Sequence, residues 1–191
     1  MKVVNKNKRD INDDVERFVT MYYSKLIGKQ IVSIAKGGDY FAQLISNKLY
    51  GNANQIIYVK CQRPTSKNKK ANKSIFKLIN NFPYFILNIL RNIEHHLLSM
   101  SNNLNREIII NKPVNIPLVS NEYLIIDDAV DSGVTLHEII NYFKLLNPSS
   151  QIITYAYVVT KKNPIVMPDI YSYRNVLIRF PWSIDWKNDN D

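Results

Sequence analysis

Short apolar segments alternate with segments of helical periodicity along much of the chain. Residues 30–35 (QIVSIA) and 55–60 (QIIYVK) are apolar and rich in β-branched side chains, which is typical of buried strands. Between them, a glycine turn precedes a helical pattern from about Tyr40 to Leu49, which Gly51 ends. Strand, turn, helix and strand make a βαβ unit. The pattern therefore predicts an α/β fold with a central, mainly parallel sheet flanked by helices.

Similar patterns lie on both sides of this unit. Asp13 and Glu16 match a capping box, and apolar residues at helical spacing follow as far as Leu26, so we expect a helix to begin near Asp13. The remaining elements predicted by the same criteria are strands at residues 107–110, 123–126, 152–159 and 176–180 and a helix at residues 135–146.

Length and composition narrow the class of protein. The 191 residues are 46% hydrophobic and 21% charged, so residues 1–191 are expected to form a single domain with a sizeable core. Cys61 is the only cysteine, which excludes an internal disulfide. The N-terminus is basic and polar, unlike a secretory signal, and no apolar run reaches the roughly 18 residues of a membrane span. We therefore expect a soluble, cytoplasmic protein.

The net charge suggests the chemistry of the partners. Lysine and arginine number 25 and acidic residues 16, which gives a formal charge of +9. Such a surface concentrates anions, whether nucleic acid, anionic lipid or phosphorylated metabolites. A solvated basic loop in a lysine-rich sequence explains the charge equally well, so charge alone does not choose a function.

The most informative segment is residues 123–135 (YLIIDDAVDSGVT). A hydrophobic strand delivers two adjacent carboxylates, Asp127 and Asp128, to the carboxyl edge of the sheet. A turn containing Ser132 and Gly133 then opens a helix near Thr135, and turn amides at a helix N-terminus form an anion cradle. Carboxylates beside that cradle would repel a bare phosphate. A phosphorylated sugar fits, because its hydroxyls can donate to the carboxylates and Mg²⁺ can lie between the charges.

At these residues the sequence resembles the type I phosphoribosyltransferases, whose fingerprint is a hydrophobic strand, two acidic residues and a phosphate loop. The resemblance implies that Asp127 and Asp128 bind the ribose hydroxyls of phosphoribosyl pyrophosphate (PRPP), with one carboxylate assisting Mg²⁺. It also implies a phosphate loop around the 5′-phosphate. The residues of that loop are Asp131, Ser132, Gly133, Val134 and Thr135.

A second segment agrees with the same family. The sequence Lys36-Gly37-Gly38 follows the first predicted strand and resembles the family's pyrophosphate loop. The resemblance implies a non-proline cis peptide bond near Lys36. From the residues alone, a lysine and two glycines at the carboxyl end of a strand suit a diphosphate. Asp39 is interpreted as the cap of the following helix and not as a catalytic group.

Asp131 and the C-terminal region point to the acceptor. In the family, an acid at the position of Asp131 marks the 6-oxopurine enzymes, where it accepts the proton of the attacking nitrogen; capping of the following helix is the alternative role. The segment 160–186 is similar to the hood of bacterial xanthine–guanine phosphoribosyltransferases. By this resemblance Lys161, or alternatively Lys162, donates to an exocyclic oxygen of a free purine-type base, and Leu177 and Ile178 cover that base. Trp182 belongs either to this hood or to the core.

The resemblance does not cover residues 61–118. This insertion contains a basic loop, Lys67–Lys73, and a helical pattern, Asn81–Met100, whose apolar stripe is expected to pack on the sheet or on a second subunit. The family's habit of forming dimers or tetramers favours a homo-oligomer. Residues 187–191 are expected to be a polar tail.

Two alternative functions stay open at this point. One is a phosphoribosyltransferase with a non-standard acceptor, suggested by the insertion and by an aliphatic Leu177. The other is a non-catalytic phosphoribosyl-binding regulator or RNA-binding protein on the same fold. Nucleic acid is possible but not favoured, because the acidic and glycine motifs are intact.

Overall fold

The structure, a computed structural model, describes residues 1–52, 55–62, 107–112 and 117–183. In these ranges the chain forms the helices and strands listed next in chain order. They are β1 (Lys2–Asn5), α1 (Lys8–Leu26), β2 (Gln30–Ile34), α2 (Gly37–Tyr50), β3 (Ile56–Gln62), β4 (Glu107–Asn111), β5 (Glu122–Val130), α3 (Val134–Leu146), β6 (Gln151–Val159), β7 (Ile170–Arg174) and β8 (Val176–Arg179).

Six strands form one sheet in the order β4-β3-β2-β5-β6-β7. Every pairing in it is parallel except that of β3 with β4, which confirms the predicted α/β fold with a mainly parallel sheet. From β2 the chain proceeds to β3 on one side, whereas from β5 it proceeds to β6 on the other. The gap between the carboxyl ends of β2 and β5 is therefore the topological switch point, where open α/β sheets bind ligands.

Apolar side chains are buried on both faces of this sheet. On β5, Leu124 and Ile126 pack with residues of α1 and α2, whereas Tyr123 and Ile125 pack with residues of α3. All four are fully buried. Alternating side chains that are apolar on both faces explain why these strands are uninterrupted hydrophobic runs in the sequence.

Two predicted helix starts are wrong. Helix α1 begins at Lys8, and its capping box is formed by Asn7 and Asp10, not by Asp13 and Glu16. The Asn7 side chain accepts from the Asp10 amide at 2.9 Å, and the Asp10 carboxylate accepts from the Asn7 amide at 3.1 Å. The apolar stripe already includes Ile11, which is fully buried, so the helix has to start before it.

The second correction concerns α2. This helix begins at Gly37, so Lys36 and not Asp39 occupies the N-cap position. The carboxylate of Asp39 instead accepts a hydrogen bond from Ser33 Oγ at 2.5 Å, which ties the start of α2 to strand β2. Glycines are poor helix formers, and for that reason the pattern alone placed the start three residues too late.

Strands β1 and β7 were not predicted. Strand β1 pairs in parallel with β8 in a separate two-stranded sheet, and β7 is the outer strand of the main sheet, within the segment expected to form a hood. Both strands are short and half exposed, so they lack the apolar runs that mark buried strands.

The predictions for residues 67–73, 81–100 and 187–191 lie outside the described residues. In the part of the chain that is described, no helix is long and apolar enough to cross a membrane.

A buried carboxylate joins α1 to the strands beneath it. The Asp14 side chain is only 5% exposed and accepts hydrogen bonds from Lys6 Nζ at 3.0 Å, Tyr157 OH at 2.6 Å and Tyr173 OH at 2.8 Å. Arg17, one turn further along α1, also pairs with it. Burial alone would raise the pKa of the Asp14 carboxyl, but these donors hold the pKa below its usual range.

Replacement of Asp14 by Asn should reduce the free energy of unfolding by about 3–5 kcal/mol, because Lys6 is left without its buried counter-charge. The folded-state pKa is lowered, so this stabilisation is complete above the unfolded pKa of about 3.9 and is lost as the pH falls through the lower folded pKa. Urea unfolding from pH 7 to pH 3 measures the difference between wild type and variant. Asp13→Asn, at an exposed carboxylate one residue earlier, is the matched control and should change little. Equal stabilities of the two variants would contradict the role of Asp14.

Candidate active site

Three turns meet at the carboxyl edge of the sheet, on the strands that flank the switch point. The first, residues 36–38, follows β2; the second, residues 131–135, follows β5; the third begins at Thr160 and follows β6. Because β2, β5 and β6 are mutually parallel neighbours, their carboxyl ends share one edge. The structure thus brings together Lys36 to Gly38, the acidic pair and the phosphate loop that the sequence identified separately.

The turn after β2 packs directly against the acidic pair. A Cβ atom added to Gly37 would lie 2.1 Å from the carboxyl carbon of Asp128, and one added to Gly38 would lie 2.6 Å from the carbonyl oxygen of Ile126. A side chain at position 37 would therefore displace the Asp128 carboxylate, and one at position 38 would displace the backbone of strand β5. The peptide bond between Ala35 and Lys36 is cis, which confirms the expectation drawn from the family.

The acidic pair consists of a buried carboxylate, Asp127, and a half-buried one, Asp128. Asp127 is 7% exposed, and its Oδ1 accepts a hydrogen bond from the Asp128 amide at 2.9 Å. Burial, followed by the neighbouring charge of Asp128, raises the pKa of the Asp127 carboxyl well above its usual range. Burial also raises the pKa of Asp128, and the charge of Asp39 adds to the effect. The two carboxylates are therefore suited to bind a cation or to accept hydrogen bonds from hydroxyl groups.

The donor set suits magnesium bound together with a substrate. Mg²⁺ in phosphate-transferring sites takes one or two protein carboxylates, substrate phosphates and several waters. Asp127 and Asp128 provide such a pair at the open edge of the sheet. Within the described ranges, no group of three or more His, Cys, Asp or Glu side chains is arranged to bind a metal ion. A metal ion at Asp127 and Asp128 would therefore take its remaining ligands from substrate and water.

The phosphate loop ends in a helix N-terminus that no side chain caps. Gly133, with φ of 78°, is the N-cap of α3, and no side-chain hydrogen bond caps the helix. Asp131 lies two residues before Gly133, so it is not the N-cap residue of α3. Amide groups in the first turn of α3 lack intrahelical partners, and with the helix dipole they favour an anion.

The phosphate loop is fastened to the segment after β6. The Ile165 amide donates to the Ser132 carbonyl at 2.8 Å, and a Cβ atom on Gly133 would lie 2.7 Å from the carbonyl oxygen of Val166. Thr160 Oγ1 donates to Asp131 Oδ1 at 2.9 Å. These contacts hold the loop that would bind phosphate and the segment that would bind the base in one arrangement.

The predicted base-binding residues occupy different environments. Lys161 is half-buried beside Thr160, whereas Lys162 is exposed and its carbonyl accepts from Arg174 at 2.9 Å. Leu177 and Ile178 are both buried on β8, but adjacent residues point to opposite faces of a strand, and Ile178 packs in the main core. Their role as a cover for the base stays a prediction.

Trp182 belongs to an aromatic cluster that reaches the start of α2. Its ring stacks on Phe180 at 4.9 Å between centroids and lies 4.8 Å from Tyr40, which follows the 36–38 turn. Trp182 is 42% exposed, so it covers the core and is not part of the buried interior.

Sequence reasoning missed Thr160, whose hydroxyl contacts Asp131. Thr160 belongs to no motif. One signal was available for Thr160: it directly follows the longest predicted strand, residues 152–159, and residues just beyond such strand ends lie at the edge where ligands bind.

Comparison with known proteins gives one family match. The sequence model of the phosphoribosyl transferase domain matches residues 10–189. A search of curated protein sequences finds no match.

Solved structures share the fold at low sequence identity. A purine phosphoribosyltransferase from Pyrococcus horikoshii Ot3 is 18% identical with a TM-score of 0.60, and the alignment covers 95% of each chain. A xanthine-guanine-hypoxanthine phosphoribosyltransferase from Helicobacter pylori is 12% identical with a TM-score of 0.62, covering 95% of this chain and 96% of that one. A hypoxanthine phosphoribosyltransferase from Staphylococcus aureus is 13% identical with a TM-score of 0.56, covering 88% of this chain and 74% of that one.

Replacement of Gly133 by Ala should destabilise the protein more than the same change at Gly28. Both glycines have positive φ, 78° and 84°, so alanine at either position costs roughly 1–2 kcal/mol of backbone energy. At Gly28 the added Cβ meets nothing within 4 Å, whereas at Gly133 it meets the backbone of Val166, which adds about 1–3 kcal/mol. Chemical denaturation of the two variants measures the difference. Equal losses would show that the phosphate loop does not pack on the 165–166 segment.

Proposed function

Since the chain belongs to the phosphoribosyl transferase domain family and is therefore a phosphoribosyltransferase, we propose that it transfers ribose 5-phosphate from PRPP to a 6-oxopurine base, guanine, xanthine or hypoxanthine, and releases pyrophosphate. The observation that carries this proposal is the packing of a glycine turn, an acidic pair and an uncapped helix N-terminus around one switch point. Those groups match the diphosphate, the ribose hydroxyls and the 5′-phosphate of one molecule.

The donor would span the switch point. The 5′-phosphate would accept hydrogen bonds from backbone amides of residues 132–135 at the amino end of α3. The ribose hydroxyls would donate to Asp127 and Asp128. The pyrophosphate would lie on the turn of residues 36–38, beside the exposed Lys36 and the amino end of α2.

Magnesium would be held by Asp127 and Asp128 together with the substrate oxygens. When bound, it neutralises the charge of the pyrophosphate leaving group. The raised pKa of both carboxyls supports this assignment. A bound cation would offset both the cost of burying the carboxylate charges and their repulsion by neighbouring charges.

The reaction breaks the bond between the anomeric carbon and a pyrophosphate oxygen and forms a bond from that carbon to a nitrogen of the base. The leaving pyrophosphate keeps the electron pair of the broken bond, and the attacking nitrogen loses its proton to the Asp131 carboxylate. The sugar passes through an oxocarbenium-like state, so fixed positions and nearby carboxylate charge supply most of the rate enhancement.

Base selection would rest on Lys161, which is half-buried next to Thr160, with Leu177 over the ring. A lysine ammonium donates to the exocyclic oxygen of a 6-oxopurine and finds no acceptor on the amino group of adenine. Lys162 is exposed, which favours Lys161 for this role.

The double variant Asp127→Asn/Asp128→Asn should melt at a higher temperature than wild type at pH 7.5 without ligand. The pKa of both carboxyls is raised in the folded state. The pair therefore destabilises the fold increasingly as the pH rises from the unfolded pKa of about 3.9 through the raised folded pKa. The difference in melting temperature between the double variant and wild type should accordingly shrink at acidic pH. PRPP with Mg²⁺ should stabilise wild type by about 2.7 kcal/mol at a hundredfold excess over Kd and leave the double variant unchanged. Thermal melting with and without ligand measures both effects.

Asp169→Asn is the matched control, because that carboxylate accepts from the Thr154 amide and hydroxyl at the opposite edge of the sheet. It should not raise the melting temperature and should retain the PRPP shift. Retention of the shift in the double variant would refute the donor site.

Pyrophosphate release measured against a panel of free bases tests the acceptor. Oxopurines should be preferred over adenine by roughly tenfold or more, because the half-buried Lys161 loses its hydrogen bond when it faces an amino group. Lys161→Ala should weaken that preference without changing KM for PRPP, and Lys162→Ala should retain it. Turnover of adenine or uracil, with no turnover of any oxopurine, would contradict the proposed acceptor and favour the alternative of a non-standard one.

A further inference from the structure

Thr160 lies where β5 and β6 end side by side, and its position is fixed by the sheet. Its amide donates to the carbonyl of Val130 at 3.0 Å, which continues the β5–β6 ladder one residue beyond the register pair Val130 and Val159. Asp131 directly follows Val130, so the two strand ends place the threonine hydroxyl beside the aspartate carboxylate. Thr160 is only 8% exposed, so water competes little for this contact.

The direction of the hydrogen bond is determined by the groups. An ionised carboxylate only accepts, so the single hydroxyl proton of Thr160 is donated to Asp131 Oδ1 at 2.9 Å. The Val130 carbonyl is 3.4 Å from the same hydroxyl and is the weaker partner. The bond restricts both side-chain torsions of Asp131, which stands on the turn between β5 and α3.

We propose that Thr160 is a positioning residue, which orients the Asp131 carboxylate so that it meets the proton of the attacking base. The inference rests on the proposed function, in which Asp131 is the general base. A general base has to lie within hydrogen-bonding reach of the proton that it removes, so a carboxylate free to rotate spends less time in the productive orientation.

Strand β6 contains its own control for this proposal. Thr154, near the beginning of the strand, also donates its hydroxyl to a carboxylate, Asp169 Oδ2, at 2.7 Å. That pair lies at the amino edge of the sheet, away from the switch point. Removal of either hydroxyl by a Thr→Val change deletes the same kind of bond from the same strand, but only Thr160 contacts a proposed catalytic group.

The experiment compares steady-state kinetics of Thr160→Val and Thr154→Val with the base that wild type uses best. Thr160→Val should lower kcat by roughly tenfold or more, since a hydrogen bond to a charged group is removed, while KM for PRPP stays at the wild-type value. Thr154→Val should lower the melting temperature but leave kcat at the wild-type value.

Two further comparisons separate positioning from folding. Thr160→Ser and Thr160→Ala both remove the threonine methyl group, but only the serine variant keeps the hydroxyl. The serine variant should retain most of kcat, and the alanine variant should lose it. This pair replaces the valine variant if Thr160→Val fails to fold. In an Asp131→Ala background, Thr160→Val should cause no additional loss, because the two residues act through one contact.

The outcomes also separate this inference from the proposed function. Suppose that wild type uses a base. If Thr160→Val then has the same kcat as Thr154→Val, or if the serine and alanine variants have equal kcat, the positioning role of Thr160 is overturned. The proposed function stands in that case. If wild type uses no base in the panel, the proposed function fails and this inference fails with it.

Discussion

The parallel pairing of β2 with β5 is the constraint on which the site depends. It places Ser33 opposite Ile126, so the turn after β2 emerges against the last residues of β5. The approach is so close that Gly37 has no space for a Cβ beside the Asp128 carboxylate. A lysine–glycine turn and an acidic pair, about 90 residues apart in the sequence, become one surface because two strands are neighbours at a topological switch point.

Two buried carboxylate sites in this protein have opposite effects on stability. Asp14 accepts from Lys6, Tyr157 and Tyr173, and those donors lower its pKa, so its charge is stabilised by the fold. Burial raises the pKa of both Asp127 and Asp128, and the charge of Asp128 raises that of Asp127 further; the fold supplies no cationic partner among the described contacts of that pair. The difference distinguishes a carboxylate that supports the structure from a pair kept at a cost in stability, as functional sites often are.

Much of the architecture follows from the sequence because buried parallel strands are continuous apolar runs. The motif of residues 123–135 likewise specified the acidic pair and the phosphate loop. What the sequence could not provide depends on partners far along the chain: β1 is a strand only because β8 lies beside it, and Thr160 matters only because β5 ends next to β6. The start of α1 was misplaced because Asp13 and Glu16 imitate a capping box that Asn7 and Asp10 form.

A crystal structure of the protein with PRPP and Mg²⁺ would show which turn holds each phosphate of the donor. We expect the 5′-phosphate at the amino end of α3, the ribose hydroxyls on Asp127 and Asp128, and the pyrophosphate on residues 36–38. Binding of PRPP at another edge of the sheet, or with its two phosphate ends exchanged between these turns, would contradict this arrangement.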